Sequence, residues 1–177
     1  MLTKIQKDKY VLLTDIEDTK EYYKTRTLCE CSNCRNFYAQ IKGKFAELEV
    51  FLAEFGIDIE KPDEIESVSR ENGAAYIWVD YTVSGKMEAL DGHKVAYDEQ
   101  LELTLDGFPG KIVISEHFIF PNERDGECFA VSIKDLFLPW VLDEPQTMPP
   151  SRTGEFRPKN AITIKKPKGF LRWFFKK

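Results

Sequence analysis

The hydrophobic and polar positions of the chain change their period near residue 74, from a helical repeat to strict alternation. In the earlier part, apolar side chains recur at steps of three and four residues between positions 35 and 55. The residues in this series are Phe37, Ile41, Phe45, Leu48, Leu52 and Phe55. Such spacing places them on one stripe of an amphipathic helix, and Gly56 follows where a C-terminal cap is favoured. The pattern therefore predicts one long helix over residues 35–55.

Three shorter segments flank this helix. KYVLLTD (9–15) predicts a strand, and EYYKTRTL (21–28) predicts an extended connection. KPDEIESVSR (61–70) opens on Lys61-Pro62 and predicts a short helix whose first turn carries Asp63 and Glu64, where the helix dipole favours acids.

Four alternating runs follow, namely AAYIWVDYTV, VAYDEQLELTL, KIVISEHFIF and ECFAVSI. They are rich in β-branched and aromatic residues, and Asp-Gly dipeptides typical of hairpin turns separate them. Consecutive hairpins form an antiparallel meander, and a sheet with one apolar face needs a cover. The predicted fold class is therefore α+β, an antiparallel β-meander covered by one long amphipathic helix, with a basic C-terminal extension.

Length and composition favour one compact domain. The chain has 177 residues, of which 42% are hydrophobic. Repeated prolines in PWVLDEPQTMPPSR predict a boundary near residue 145, with a compact domain over 1–145 and a Pro-rich linker with a basic aromatic tail over 146–177. The N-terminus lacks the apolar run of a secretory signal, and no segment is long and apolar enough to span a bilayer. We therefore expect a soluble, cytoplasmic protein whose thiols stay reduced.

Charge is distributed unevenly along the chain. The net charge is −5, but residues 151–177 hold nine basic residues and one acid, so this segment carries +8 and residues 1–150 carry −13. The tail mixes cations with aromatic rings, which suits an anionic membrane surface; the residues expected to bind there are Lys165, Lys166, Lys168, Arg172, Trp173, Phe174 and Lys176. The same composition suits docking onto the acidic body or onto another protein, and it favours nucleic acid less. A protein partner is the first expectation, and the oligomeric state does not follow from the sequence.

The segment CECSNC places Cys29, Cys31 and Cys34 within six positions. Thiolates are soft donors that bind zinc, and C-x-x-C is the spacing of half a zinc knuckle. A fourth ligand has to come from elsewhere in the chain. If PNERDG forms a hairpin loop, His117 lies opposite Ala130 and projects from the same sheet face as Cys128. The candidate cofactor is therefore zinc, held by Cys29, Cys31 and Cys34 and completed by Cys128 or His117.

Two other interpretations of the cysteines remain open. Cys31 and Cys34 precede the long helix, whose N-terminal dipole would stabilise a thiolate as disulfide exchange requires. Alternatively, all four cysteines are reduced thiols that pack as small apolar side chains. Catalytic signatures such as G-x-S-x-G, G-x-x-x-x-G-K and H-E-x-x-H do not occur, and we predict no enzymatic activity from them. Glu99 and Glu116 each interrupt an apolar strand face, where a buried acid pair would have raised pKa values.

The segments CECSNCRNFYAQI and FLAEFGIDIEKPDEI resemble a family of uncharacterised bacterial proteins with a C-x-C-x-x-C-R-N-F opening and a G-I-D-x-x-K-P-x-E segment. The resemblance covers about residues 22–66 and implies a bacterial cytoplasmic origin without an established activity. The sequence therefore predicts a bacterial binding or interaction protein with a structural zinc site. The alternatives are a thiol–disulfide oxidoreductase that uses Cys31 and Cys34, and a peripheral membrane protein attached by its tail.

Overall fold

The computed structural model describes residues 1–116 and 126–146. Within these ranges lie three helices, α1 (Ile16–Lys24), α2 (Ser32–Ile41) and α3 (Ala46–Ala53). The strands are β1 (Thr3–Lys7), β2 (Tyr10–Thr14), β3 (Glu64–Arg70), β4 (Gly73–Ala89), β5 (Gln100–Leu103), β6 (Lys111–Ser115) and β7 (Cys128–Pro139). All seven strands join one antiparallel sheet in the order β1-β2-β4-β7-β6-β5, and β3 pairs with β4. The sheet curls into a half-barrel.

Strand β4 pairs with three other strands and therefore organises the sheet. One of its edges pairs with β7 from Gly73 to Ser84. The other edge is shared, because β3 pairs with residues 73–80 and β2 pairs with residues 85–89. Residues 81–84 lie between these two partners, so their backbone groups on this edge need hydrogen bonds from another part of the chain.

Helix α1 and the loop before β3 supply these hydrogen bonds. The Ser84 amide donates to Thr19 Oγ1 over 3.0 Å. The Tyr23 hydroxyl donates to the Thr82 carbonyl over 2.8 Å, and the Thr82 amide donates to Asp63 Oδ2 over 2.7 Å. The gap in the edge of β4 is therefore closed by side chains from two separate segments.

Gly85 allows β2 to join β4 directly after this gap. Its φ is +139°, and a Cβ atom at this position would lie 1.8 Å from the carbonyl oxygen of Leu13. A larger residue would therefore push β2 away from β4.

The core lies between the sheet and helices α2 and α3. Alternation along β4, β6 and β7 turns one apolar set toward the helices, namely Val79, Tyr81, Val83, Ile112, Ile114, Phe129, Val131 and Ile133. From the helical side come Phe37, Ile41, Leu48, Leu52 and Phe55, all fully buried. The apolar stripe seen in the sequence is therefore the helical side of the core.

The predicted α+β fold with one long covering helix is wrong. Residues 35–55 form two helices, because the chain leaves helical geometry at Lys42 (ψ 132°) and Gly43 takes a φ of +73°. Both helices bury the same stripe, so its periodicity does not reveal the break. The described part of the chain is mostly antiparallel sheet with three short helices.

Two flanking segments also differ from expectation. Residues 21–24 belong to helix α1, and residues 64–70 form strand β3 rather than a helix. In β3 the pairing with β4 overrides the local signal of Lys61-Pro62 and the acids that follow it.

The predicted meander has the wrong strand order. Strands β5, β6 and β7 follow one another as neighbours, but β4 pairs with β7 and not with β5. Strand β5 has four residues, whereas β4 and β7 are long enough to pair over eleven positions. In the β6–β7 pair Ser115 lies opposite Ala130, two positions from the predicted partner His117.

Several expectations concern residues that the structure does not describe. His117 and residues 147–177, which hold nearly all of the predicted linker and tail, lie outside the described ranges. The domain boundary near residue 145 stays a prediction. None of the three described helices is long and apolar enough to cross a bilayer.

Asp80 is a carboxylic acid inside the sheet, with 3% of its surface exposed. Its Oδ1 accepts hydrogen bonds from Ser132 Oγ over 2.6 Å and from Trp78 Nε1, whereas its Oδ2 has no partner among the described residues. Burial raises the pKa of Asp80 to about 6, and the two hydrogen bonds offset part of this effect.

We expect Asp80→Asn to stabilise the protein at neutral pH and to flatten its pH dependence between about pH 4 and 6. In this window the folded protein holds a proton that the unfolded chain has released, so raising the pH lowers the free energy of unfolding, by about 2–3 kcal/mol in total. The asparagine keeps the Oδ1 acceptor and remains neutral. Urea unfolding between pH 4 and 8 measures the effect, with Glu66→Gln on the exposed side of β3 as the control. An unchanged pH slope in Asp80→Asn would contradict this assignment.

Candidate metal centre

The three clustered cysteines lie where an irregular segment enters helix α2. Cys31 is the N-cap residue of this helix, Cys34 lies in its first turn, and Cys29 precedes them in the segment 25–31, which has no helix or strand. The turn of the helix brings Cys34 back toward Cys31. All three sulfur atoms lie within 4.8 Å of one another.

A buried hydrogen-bond network fixes helix α2 on the sheet. Asn36 Nδ2 donates to the Tyr76 hydroxyl and to the Pro139 carbonyl, each over 3.1 Å, and Asn36 Oδ1 accepts from the Val141 amide over 2.9 Å. The Tyr76 hydroxyl donates in turn to the Asn33 carbonyl over 2.8 Å. The first turns of α2 are therefore tied both to β4 and to the end of β7.

Arg35 holds the irregular segment against the helix. Its Nε donates to the Glu30 carbonyl over 3.0 Å, and its guanidinium pairs with Glu144. Glu30 lies between Cys29 and Cys31, so this contact restrains the backbone that carries both thiols.

The three thiols differ in exposure and in acidity. Cys29 and Cys31 are exposed, whereas Cys34 is buried with 5% of its surface accessible. Burial raises the pKa of Cys34, and the neighbouring thiolates raise it further. For Cys31, partial burial acts to raise the pKa, but the Cys34 amide and the two nearby thiols outweigh it, so that the pKa is lower than usual.

The geometry fits a single thiophilic ion. Zinc–sulfur bonds of about 2.3 Å in a tetrahedral arrangement separate the sulfurs by about 3.8 Å. Separations of up to 4.8 Å reach this value through small changes of side-chain rotamers. Among the described residues the cluster contains these three ligands and no carboxylate or imidazole.

A small cavity of about 210 Å³ lies beside the cluster. Cys29 and Cys34 form part of its wall, together with Thr27, Leu28, Tyr38, Pro62, Asp63, Glu64 and Ile65. Tyr38 is one helical turn after Cys34, and its pKa is raised by burial and by the charges of Cys34 and Cys29. Its hydroxyl therefore stays protonated next to the sulfurs.

Asp63 in this wall is held by three groups. It accepts hydrogen bonds from the Tyr22 hydroxyl and the Thr82 amide, and its Oδ1 lies 3.2 Å from Arg26 Nε.

Tyr38, Asp63 and Arg26 were not identified from the sequence as residues of the site. Only Tyr38 gives a signal, through its spacing of four residues from Cys34.

The structure does not bring Cys128 to the other three cysteines. Cys128 pairs with Ser84 on β4, whereas Ile65, in the cavity wall beside Cys34, pairs with Val79. Five residues along a strand correspond to about 16 Å. His117, the other predicted fourth ligand, lies outside the described residues.

The carboxyl groups singled out in the sequence do not form a buried acid pair. The hydrogen bond from Tyr10 lowers the pKa of Glu99 to about 2, with help from the Ala96 amide and from His93. Glu116 accepts a hydrogen bond from the Met87 amide over 3.4 Å. Both groups stabilise local structure.

Known proteins add nothing to this geometry. No model of a known protein family, no curated protein and no solved structure matches the chain. The resemblance noted for residues 22–66 stays a prediction, and any function must be argued from the site itself.

We expect Asn36→Ala to destabilise the protein by about 2–4 kcal/mol, because it removes three hydrogen bonds from a fully buried side chain, to the Tyr76 hydroxyl, the Pro139 carbonyl and the Val141 amide. It should also make Cys34 react faster with a thiol reagent, since the helix that buries it is no longer anchored. The matched control is Gln40→Ala, which removes another hydrogen bond to the Pro139 carbonyl from a half-buried residue of the same helix. Urea unfolding and a timed thiol titration measure both effects. Equal losses of stability in the two variants would contradict the anchoring role of Asn36.

Proposed function

We propose that the protein binds one zinc ion through Cys29, Cys31 and Cys34. The observation that carries this proposal is the convergence of three thiol sulfurs within 4.8 Å on a backbone restrained by Asn36 and Arg35. Three thiolates favour a soft or borderline ion over calcium or magnesium, which prefer oxygen donors.

The metal would act first on structure. It would join the irregular segment 25–31 to the first turn of α2 and so order the residues between α1 and α2. None of the four cysteines forms a disulfide, although three of them lie close together. A thiolate zinc site requires reduced cysteines, and we propose a cytoplasmic location, where thiols stay reduced.

At the level of the whole protein we propose a bacterial binding or interaction protein. The metal site and the charge difference between residues 1–150 and 151–177 support this proposal. The basic aromatic segment 165–177, through which we predicted a protein partner or a membrane surface, lies outside the described residues, and these partners stay predictions.

The protein purified under reducing conditions is expected to bind one zinc ion per chain. Replacing Cys29, Cys31 or Cys34 by serine should lower the affinity by about 100-fold or more, because each substitution removes one of three anionic ligands. Cys128→Ser is the matched control and should leave stoichiometry and affinity unchanged. Metal analysis and competition with a chromophoric chelator measure both quantities.

Zinc should also mask three of the four thiols against a thiol reagent, and chelation should restore their reactivity. Four equally reactive thiols with and without added zinc would overturn the proposal. Equal loss of affinity in Cys128→Ser would place the site elsewhere.

A second candidate function is thiol–disulfide exchange by Cys31 and Cys34. Its support is the asymmetry of the pair, with an exposed Cys31 of lowered pKa at the N-cap of α2 and a buried Cys34 of raised pKa within 4.8 Å. The Cys31 thiolate would attack a substrate disulfide and release one substrate thiol. The Cys34 thiol, on losing its proton, would then displace the second substrate sulfur and leave a Cys31–Cys34 disulfide.

In the metal-free protein, we expect Cys31 to be alkylated faster than Cys34 at neutral pH, because Cys31 has the larger thiolate fraction and the more exposed side chain. Cys34→Ser should trap a mixed disulfide between Cys31 and an added small disulfide, whereas Cys128→Ser should not. Mass spectrometry after alkylation at several pH values identifies the reacting residue. Faster alkylation of Cys34, or no Cys31–Cys34 disulfide in a glutathione redox buffer, would exclude this function.

A further inference from the structure

A cavity lies beside the cysteine cluster and would give a ligand access to an ion bound there. Its walls include two of the three proposed ligands, Cys29 and Cys34, so an ion held by the cluster borders it. Its volume of about 210 Å³ corresponds to about seven water molecules at roughly 30 Å³ each. A five-membered heterocycle or a few solvent molecules would fit in this space.

The carboxylate of Asp63 in the cavity wall is already committed to other contacts. Asp63 binds Tyr22, Arg26 and the Thr82 amide, and the described carboxylates do not join the cysteine cluster. A divalent ion with three thiolates is therefore one ligand short of the four that zinc prefers, counting the described residues. Closed structural sites have four protein ligands, whereas sites that exchange ligands keep one position open.

Charge decides which kind of ligand the position would accept. Three thiolates and a divalent ion carry a net charge of −1, and Asp63 and Glu64 add carboxylates to the cavity wall. Arg26 compensates Asp63. An incoming anion is therefore repelled, whereas a neutral nitrogen or oxygen donor is not.

From these observations, and resting on the proposed zinc site, we infer that the ion keeps one exchangeable coordination position, reached through this cavity, that prefers neutral donors such as imidazole or water to anions. The ligand class is an uncharged nitrogen or oxygen donor of about five heavy atoms. A histidine side chain of a partner and a free imidazole compound share this chemistry.

Cobalt(II) in place of zinc tests the inference, because its visible d–d absorption responds to a change of ligand. The full chain is loaded with one equivalent of cobalt and titrated separately with imidazole and with azide. We expect imidazole to change the spectrum with saturation, and azide to need a concentration about tenfold higher for half the change. The variant His117→Ala tests whether His117 of the same chain fills the open position. It should give the same titration curves as the unsubstituted protein.

Glu64→Gln tests the role of charge. We expect it to lower the azide concentration for half-saturation by about fivefold, as removal of one partly screened charge should, and to leave imidazole binding within about twofold. Glu66→Gln is the control, since Glu66 is on the same strand but outside the cavity wall. A titration of the cobalt-loaded protein with a histidine-containing peptide then separates the partner source from the small-molecule source by its affinity relative to free imidazole.

The outcomes separate this inference from the proposed function. No thiolate-to-cobalt charge-transfer absorption would overturn the metal site, and the inference with it. Thiolate charge-transfer absorption with a d–d spectrum that ignores imidazole would keep the metal site and overturn the open position. A response to imidazole that appears only in His117→Ala would show that His117 fills the position and would also overturn the inference. Equal affinity for azide and imidazole would overturn the preference for neutral donors.

Discussion

The sheet depends on the closure of one gap along β4. Between its pairing with β3 and its pairing with β2, the backbone of residues 81–84 has no neighbouring strand on that edge, and each buried polar group left unpaired would cost about 1–3 kcal/mol. Thr19, Tyr23 and Asp63 satisfy these groups. Asp63 also belongs to the wall of the cavity beside the thiols, so the contact that completes the sheet also shapes the candidate site.

The sequence predicts the local parts of this fold and misses the distant ones. The apolar stripe from Phe37 to Phe55 is buried as its period indicates, and the alternating runs fall on strands β4, β5, β6 and β7. The break at Gly43 leaves no trace in the stripe, because α2 and α3 bury the same face. The pairing of β4 with β7 joins residues up to 66 positions apart and depends on strand length and curl, which local patterns do not encode.

The candidate site is likewise predictable in its local part and not in its distant contacts. Three thiols in six positions at the start of a helix can be recognised from spacing alone, and the structure brings their sulfurs together. The groups that hold them in place come from far along the chain, as with Pro139, which is 103 residues from Asn36. Cys128 was predicted as a fourth ligand from the register of one hairpin. That register does not show which part of the chain lies opposite the hairpin. Local chemistry was therefore predictable, whereas its supporting contacts were not.

The unequal burial of the three thiols has a consequence for the order of events at the site. At the proposed metal site, an ion arriving from solvent would meet the exposed sulfurs of Cys29 and Cys31 first, and Cys34 would then bind it from the protein side. Release would follow the reverse path. A competing chelator would therefore reach the two exposed sulfurs before the buried one.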